Sequence, residues 1–152
     1  MANTYTQIYI HLIFATKMRY RTVNENFKES LQKYITGIIN NKSQKLYAVN
    51  FHENHIHIFF SYTPNISLSE LVKEVKKMST NYINENKFLT GKFYWQEGYA
   101  AFSYSKSQIE NVIKYVKNQQ IHHKKKSFRE EYIEMLKKFD VKYDEKYIFE
   151  EV

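Results

Sequence analysis

From Thr4 to Thr16 the chain reads "TYTQIYIHLIFAT", an alternation of apolar and polar positions rich in β-branched and aromatic residues, which predicts a strand. The period then changes. After "TVNE" (Thr22 to Glu25), which has the capping-box form, Phe27, Leu31, Tyr34, Ile35, Ile38 and Ile39 recur at helical spacing. Leu46 to His52 and His55 to Tyr62 read as two strands joined by the short turn around Glu53 and Asn54, a hairpin that Pro64 terminates. A second capping box, "SLSE" (Ser67 to Glu70), opens a helix with Leu71, Val72, Val75, Met78, Tyr82 and Ile83 on one face. Residues 92–105, "KFYWQEGYAAFSYS", read as extended. "SQIE" (Ser107 to Glu110) then predicts a third helix running to about Lys125, and "SFREEYIEMLKKF" a fourth. The order β-α-β-β-α-β followed by helices predicts an α+β, ferredoxin-like antiparallel sheet with two helices on one face and C-terminal helices added.

At 152 residues, with three glycines and one proline, the chain reads as a single domain over residues 1–152 without a linker. The absence of cysteine excludes disulfides and thiolate metal ligands. No basic leader or spanning-length apolar run is present, so the expectation is a cytoplasmic protein without membrane contact. A formal net charge of +7 with 17% aromatic residues suits a phosphate-rich, base-stacking partner. It equally suits a lysine-rich surface around a tyrosine-rich core.

The chemistry concentrates in "NFHENHIHIFFS" (50–61), which holds three of the six histidines. Strand alternation puts His55, His57, Phe59 and Ser61 on one face and Ile56, Ile58 and Phe60 on the other. Two imidazoles one residue apart can converge on a cation; taken alone, the pair also fits a polar, solvent-facing strand. In the third predicted helix Ile109, Val112, Ile113 and Val116 form the core stripe. Tyr115 and Gln119, four residues apart, stack at its edge with Asn111 and His122.

Taken together, these residues suggest a specific reaction. A Mn²⁺ or Mg²⁺ ion on His55, His57 and the Gln119 oxygen would keep positions open for a phosphodiester and stabilise charge on the leaving oxygen. Attack by Tyr115 would store the energy of the broken bond in a phosphotyrosine link, so resealing would need no nucleotide cofactor.

The other histidines and cations carry weaker expectations. His52 falls out of step with the pair and reads as a bystander, and His11 reads either as a satisfied core histidine or as one that borders the site. His122 and His123 read with Lys124, Lys125 and Lys126 as a solvated or DNA-facing tail. Lys17, Arg19 and Arg21 are candidate phosphate contacts or a plain charged loop. Trp95, Tyr94 and Phe102 stack on bases or pack in the core.

As an ordered set, "HIH" (55–57), "WQEGYAAFSYS" (95–105) and "YVKNQQIHH" (115–123) resemble the HUH single-tyrosine transposases of the IS200-like insertion sequences, relatives of the REP-associated tyrosine transposases. The resemblance runs from "IYIHLIFATKMR" to "FREEY". It implies action on single-stranded DNA with hairpin ends, cut and rejoined through a 5′-phosphotyrosine. It also implies a homodimer, often with the tyrosine helix of one subunit completing the site of the other. The family's histidine pair maps onto His55 and His57, its nucleophile onto Tyr115 and its third ligand onto Gln119. The chain departs from the pattern at Asn54, where relatives often carry an acidic residue. Two other readings stay open: a domesticated relative that processes chromosomal repeats, and a ferredoxin-like nucleic-acid-binding module without chemistry.

Overall fold

The computed structural model describes residues 3–17, 25–52, 54–89, 91–119 and 126–148, with side chains from residue 27 onward in the first helix. Its elements are β1 (Tyr9–Ala15), α1 (Glu25–Asn41), β2 (Lys45–His52), β3 (His55–Ser61), α2 (Leu68–Glu85), β4 (Ala100–Tyr104), α3 (Ile109–Lys117) and α4 (Phe128–Lys138). The strands pair throughout as antiparallel neighbours in the order β2-β3-β1-β4, the ferredoxin-like arrangement expected from the element order.

Strand parity divides the sheet into two faces. Leu12 and Phe14 of β1, Phe51 of β2 and Ile56, Ile58 and Phe60 of β3 form one core with Phe27, Leu31, Ile35 and Ile39 of α1 and Leu71, Val72 and Val75 of α2. Helix α2 begins as its sequence pattern indicates, with Ser67 Oγ accepting from the Glu70 N–H at 3.1 Å. The stacked rings of Tyr34 and Tyr82, with centroids 4.0 Å apart, tie α1 to α2.

The histidine face is not left to solvent. Helix α3 covers it through Val112 and Val116 against Tyr9, Ala48 and Phe59. Helix α4 covers it through Phe128, Tyr132, Met135 and Leu136 against Ile13, Ala15, Ala100 and Phe102. Helices thus close both faces, and β1 is buried along its whole length.

Two sequence expectations shift. Of residues 92–105 only Ala100–Tyr104 joins the sheet as a strand, with Trp95 in a single bridge to Thr16. The third helical segment starts earlier than "SQIE" indicates. Ser105 is the cap of a 3-10 turn (Lys106–Gln108) that leads into α3, and its N–H donates to Gln108 Oε1 at 3.1 Å. The boxes Ser105–Gln108 and Ser107–Glu110 overlap by two residues, and the chain uses the first. The third helix ends at Lys117, capped by Asn118, short of the expected run to about Lys125; the proposed opening at Thr22 to Asn24 and residues 120–125 lie outside the described residues.

With so few glycines, the left-handed residues beyond α1, α2 and α4 are Ser43, Lys87 and Asp140, at φ 63, 51 and 54°. No glycine therefore marks those ends in the sequence.

Trp95 belongs to the core, 7% exposed, edge-on to Phe14 and Phe93. Its Nε1 donates to Ser79 Oγ at 2.9 Å, and Ser79 donates on to Val75 O at 2.7 Å. This burial excludes Trp95 as an exposed base-stacking platform. Ser79→Ala leaves a buried indole N–H without its acceptor. The expected cost is about 1–3 kcal/mol, read as a lower urea midpoint with an unchanged slope.

Candidate active site

His55 and His57 occupy the face opposite the isoleucines, and both are fully buried. Cross-strand pairing sets Ala15 and His52 beside His55, and Ile13 and Asn50 beside His57. The asparagine reaches over to the tyrosine helix. Asn50 Nδ2 donates to Val116 O at 2.9 Å, engaging one of the carbonyls that a helix end leaves without an internal donor. That bond anchors the C-terminal end of α3 to the strand beside β3, one residue past Tyr115.

Each imidazole of the pair is held through Nδ1. His55 Nδ1 donates to Asn54 Oδ1 at 3.0 Å, so the amide oxygen at the departure from the family pattern still orients the ring. His57 Nδ1 lies 2.7 Å from His11 Nε2. Burial lowers the His11 pKa to about 3, so that ring is neutral and has one donor and one acceptor nitrogen. If His57 Nε2 offers its lone pair to a cation, Nδ1–H donates to His11 Nε2 and the His11 proton sits on Nδ1. That buried Nδ1 has no hydrogen-bond partner among the described residues. With Nδ1 engaged on both rings, Nε2 is the nitrogen each presents.

Tyr115 is half-buried, its ring 5.9 Å from that of His57 and 6.0 Å from that of His11, both edge-on. Gln119, one turn later and fully buried, donates from Nε2 to Tyr115 O at 3.1 Å. His55, His57 and Tyr115 thus meet within one chain, with Gln119 bonded back to the Tyr115 carbonyl. A cavity of about 360 Å³ opens beside Tyr115, with Tyr104, Gln108, Asn111, Glu131 and Phe139 among its lining.

The sequence reading missed Glu131, on α4. Its Oε1 lies 3.6 Å from His57 Nε2, and its carboxylate acts electrostatically on the Tyr115 hydroxyl, which itself points to Met135 Sδ at 3.9 Å. One ligand atom from each of His55, His57 and Glu131 lies within 4.8 Å of the others, and all three residues are buried. Phe128 holds α4 against the pair by stacking on the His55 ring, with centroids 3.8 Å apart and planes 12° from parallel.

Burial pushes the Glu131 carboxyl up to about 7, against the pull of the Tyr115 hydroxyl and the Lys126 charge. Burial is also the first cause raising the Tyr115 hydroxyl well above the tyrosine range, followed by the Glu131 carboxylate; the Gln119 amide acts the other way. The donor set fits a divalent cation: two oriented imidazoles and a carboxylate, with no thiolate.

The candidate DNA contacts lie elsewhere or beyond description. Lys17 is exposed, and its backbone N–H bonds Tyr94 O. Tyr94 is half exposed, whereas Phe102 packs in the core. Arg19, Arg21, Lys124 and Lys125, with His122 and His123, lie outside the described residues. His52 is edge-on to His55, with ring centroids 6.0 Å apart. No helix among the described residues is long and apolar enough to cross a membrane.

Known proteins share this arrangement of elements. The chain is 22% identical over 118 residues to the ISDra2 transposase TnpA of Deinococcus radiodurans, a match spanning 74% of this chain and 84% of the relative. A crystal structure of a candidate transposase from Deinococcus radiodurans superposes with a TM-score of 0.62 at 21% identity, covering 77% of this chain and 94% of that one. A REP-associated tyrosine transposase bound to a REP hairpin superposes with a TM-score of 0.59 at 13% identity, covering 80% of this chain and 72% of that one. The pattern of the family described as transposase, IS200-like, matches residues 4–119, from before β1 through Gln119. By that match, which covers most of its length, this chain belongs to the IS200-like transposases.

Proposed function

We propose that this transposase cuts and rejoins single-stranded DNA at hairpin ends through a 5′-phosphotyrosine on Tyr115, with a divalent cation held by His55, His57 and Gln119. The observation that carries the reading is the convergence of a tyrosine hydroxyl with two oriented, fully buried imidazoles in one chain. A bound Mn²⁺ or Mg²⁺ supplies Lewis-acid polarisation of the scissile phosphate.

The chain's own residues do the rest. Asn50 anchors the tyrosine helix, and His11 and Asn54 set the imidazole tautomers. The Glu131 carboxylate shares the cavity wall with Tyr115 and acts electrostatically on its hydroxyl. As the Tyr115 oxygen bonds phosphorus, its proton passes to that carboxylate; the bond to the 3′ oxygen breaks and that oxygen takes up a proton. The reverse step reseals a free 3′ end, and no nucleotide cofactor enters.

In this reading Lys17, Arg19, Arg21, Lys124 and Lys125 neutralise phosphates, and log affinity falls by about 0.7 per contact for each log unit of salt. The enzyme acts as a cytoplasmic homodimer.

The test is a labelled hairpin strand incubated with the protein and Mn²⁺, then run on a denaturing gel. A protein-linked band that chelator abolishes is the expected result. Shifted complexes on a native gel without such a band, across a library of flanking sequences, would instead identify a binding module. The DNA on either side of the gene separates a mobile element from a domesticated one.

A further inference from the structure

The family match ends at Gln119, yet the carboxylate beside the histidine pair comes from α4, beyond it. The neighbouring glutamates Glu130 and Glu134 are exposed, while Glu131 turns inward in line with Phe128, Tyr132 and Met135. Only 6% of Glu131 is exposed. An acidic group on the apolar stripe of a helix is costly to bury unless something of opposite charge meets it.

At 3.6 Å, Glu131 Oε1 and His57 Nε2 are too far apart for a hydrogen bond between them. Two ligand atoms each about 2.1 Å from one ion lie at most about 4.2 Å apart, so 3.6 Å suits neighbouring positions around a shared cation. The donor chemistry agrees. Two imidazoles and an amide are all neutral, whereas Mn²⁺ and Mg²⁺ favour anionic oxygen.

Placement does not depend on the ion. Ser127 caps α4 by accepting from the Glu130 N–H at 3.2 Å, and Phe128 stacks on His55. Glu131, three residues on, is therefore carried to the pair by packing alone.

We infer that Glu131 is an anionic ligand of the cation held by His55 and His57, so that the helix following the family's matched region completes the metal centre. This rests on the metal-dependent reading above and adds a ligand to it.

The test uses the full chain without DNA. Mn²⁺ is titrated into wild type, Glu131→Gln and the exposed control Glu130→Gln, free Mn²⁺ is read by electron paramagnetic resonance, and melting is recorded with and without the metal. Glu131→Gln is expected to weaken Mn²⁺ at least about tenfold and to shrink the metal-induced rise in melting temperature, while Glu130→Gln matches wild type. Wild-type affinity in Glu131→Gln overturns the inference and leaves the metal reading standing. No Mn²⁺ uptake by wild type overturns the metal reading itself. If Glu131→Gln fails to fold, Glu131→Asp decides: it keeps the charge but draws it back by one methylene, so unchanged affinity counts against a ligand and reduced affinity supports one.

Discussion

Tyr115→Phe abolishes the protein–DNA adduct, lowering it on the order of 10³-fold or more, while hairpin binding on a native gel stays within about twofold of wild type. The size follows from the loss of the nucleophilic atom itself. Removing the hydroxyl leaves the ring edge-on to His57 and His11, so the site stays packed. The hydroxyl also gives up its contact with Met135 Sδ at 3.9 Å, a small effect that a thermal melt reads separately from activity. An adduct that persists in Tyr115→Phe moves the nucleophile to another tyrosine, and Tyr104 on the wall of the same cavity is the first to examine.

His57→Ala acts on two levels. The ring is fully buried between β1, α3 and α4, so truncation opens a void and leaves His11 Nε2 without its partner. Together these are expected to cost about 2–5 kcal/mol of folding stability, read as a fall in urea midpoint. Losing a ligand should also weaken Mn²⁺ by at least about a hundredfold, more than loss of an orienting group does, and cleavage disappears with it. His57→Gln restores much of the volume without the imidazole, so stability recovers and metal affinity does not. Normal wild-type cleavage in excess chelator would refute the role of the metal whatever the variants do.

Much of the fold was legible because its signals are local. Alternation found β1 and β3, and the S-x-x-E boxes at Ser67 and Ser127 are the caps the helices use. The S-x-x-E box at Ser107 put the third helical start two residues too late, since the chain enters it from a turn capped by Ser105. The histidine pair follows from strand parity and the Tyr115–Gln119 pair from helical spacing.

The partners of those pairs were not legible in the same way. His11 sits on a strand buried at every position, so its environment says nothing of its neighbour. It reaches His57 diagonally, from a register in which Ile13 stands directly opposite. Glu131 hides as one of two adjacent glutamates. Its place on the Phe128–Tyr132–Met135 stripe was a usable signal, but its target depends on how α4 docks over the sheet, a long-range matter.

Ile56 and Ile58 insulate one side of the sheet from water, and His55 and His57 between them face the chemistry. A one-residue insertion or deletion inside β3 would exchange the two sets, sending imidazoles into the α1–α2 core and isoleucines toward Tyr115. Length variation in β3 therefore damages folding and reaction in a single event, whereas point changes can touch them separately. Lineages of this protein should accept substitutions on the isoleucine face of β3 while holding its length constant, the reverse of what a surface loop tolerates.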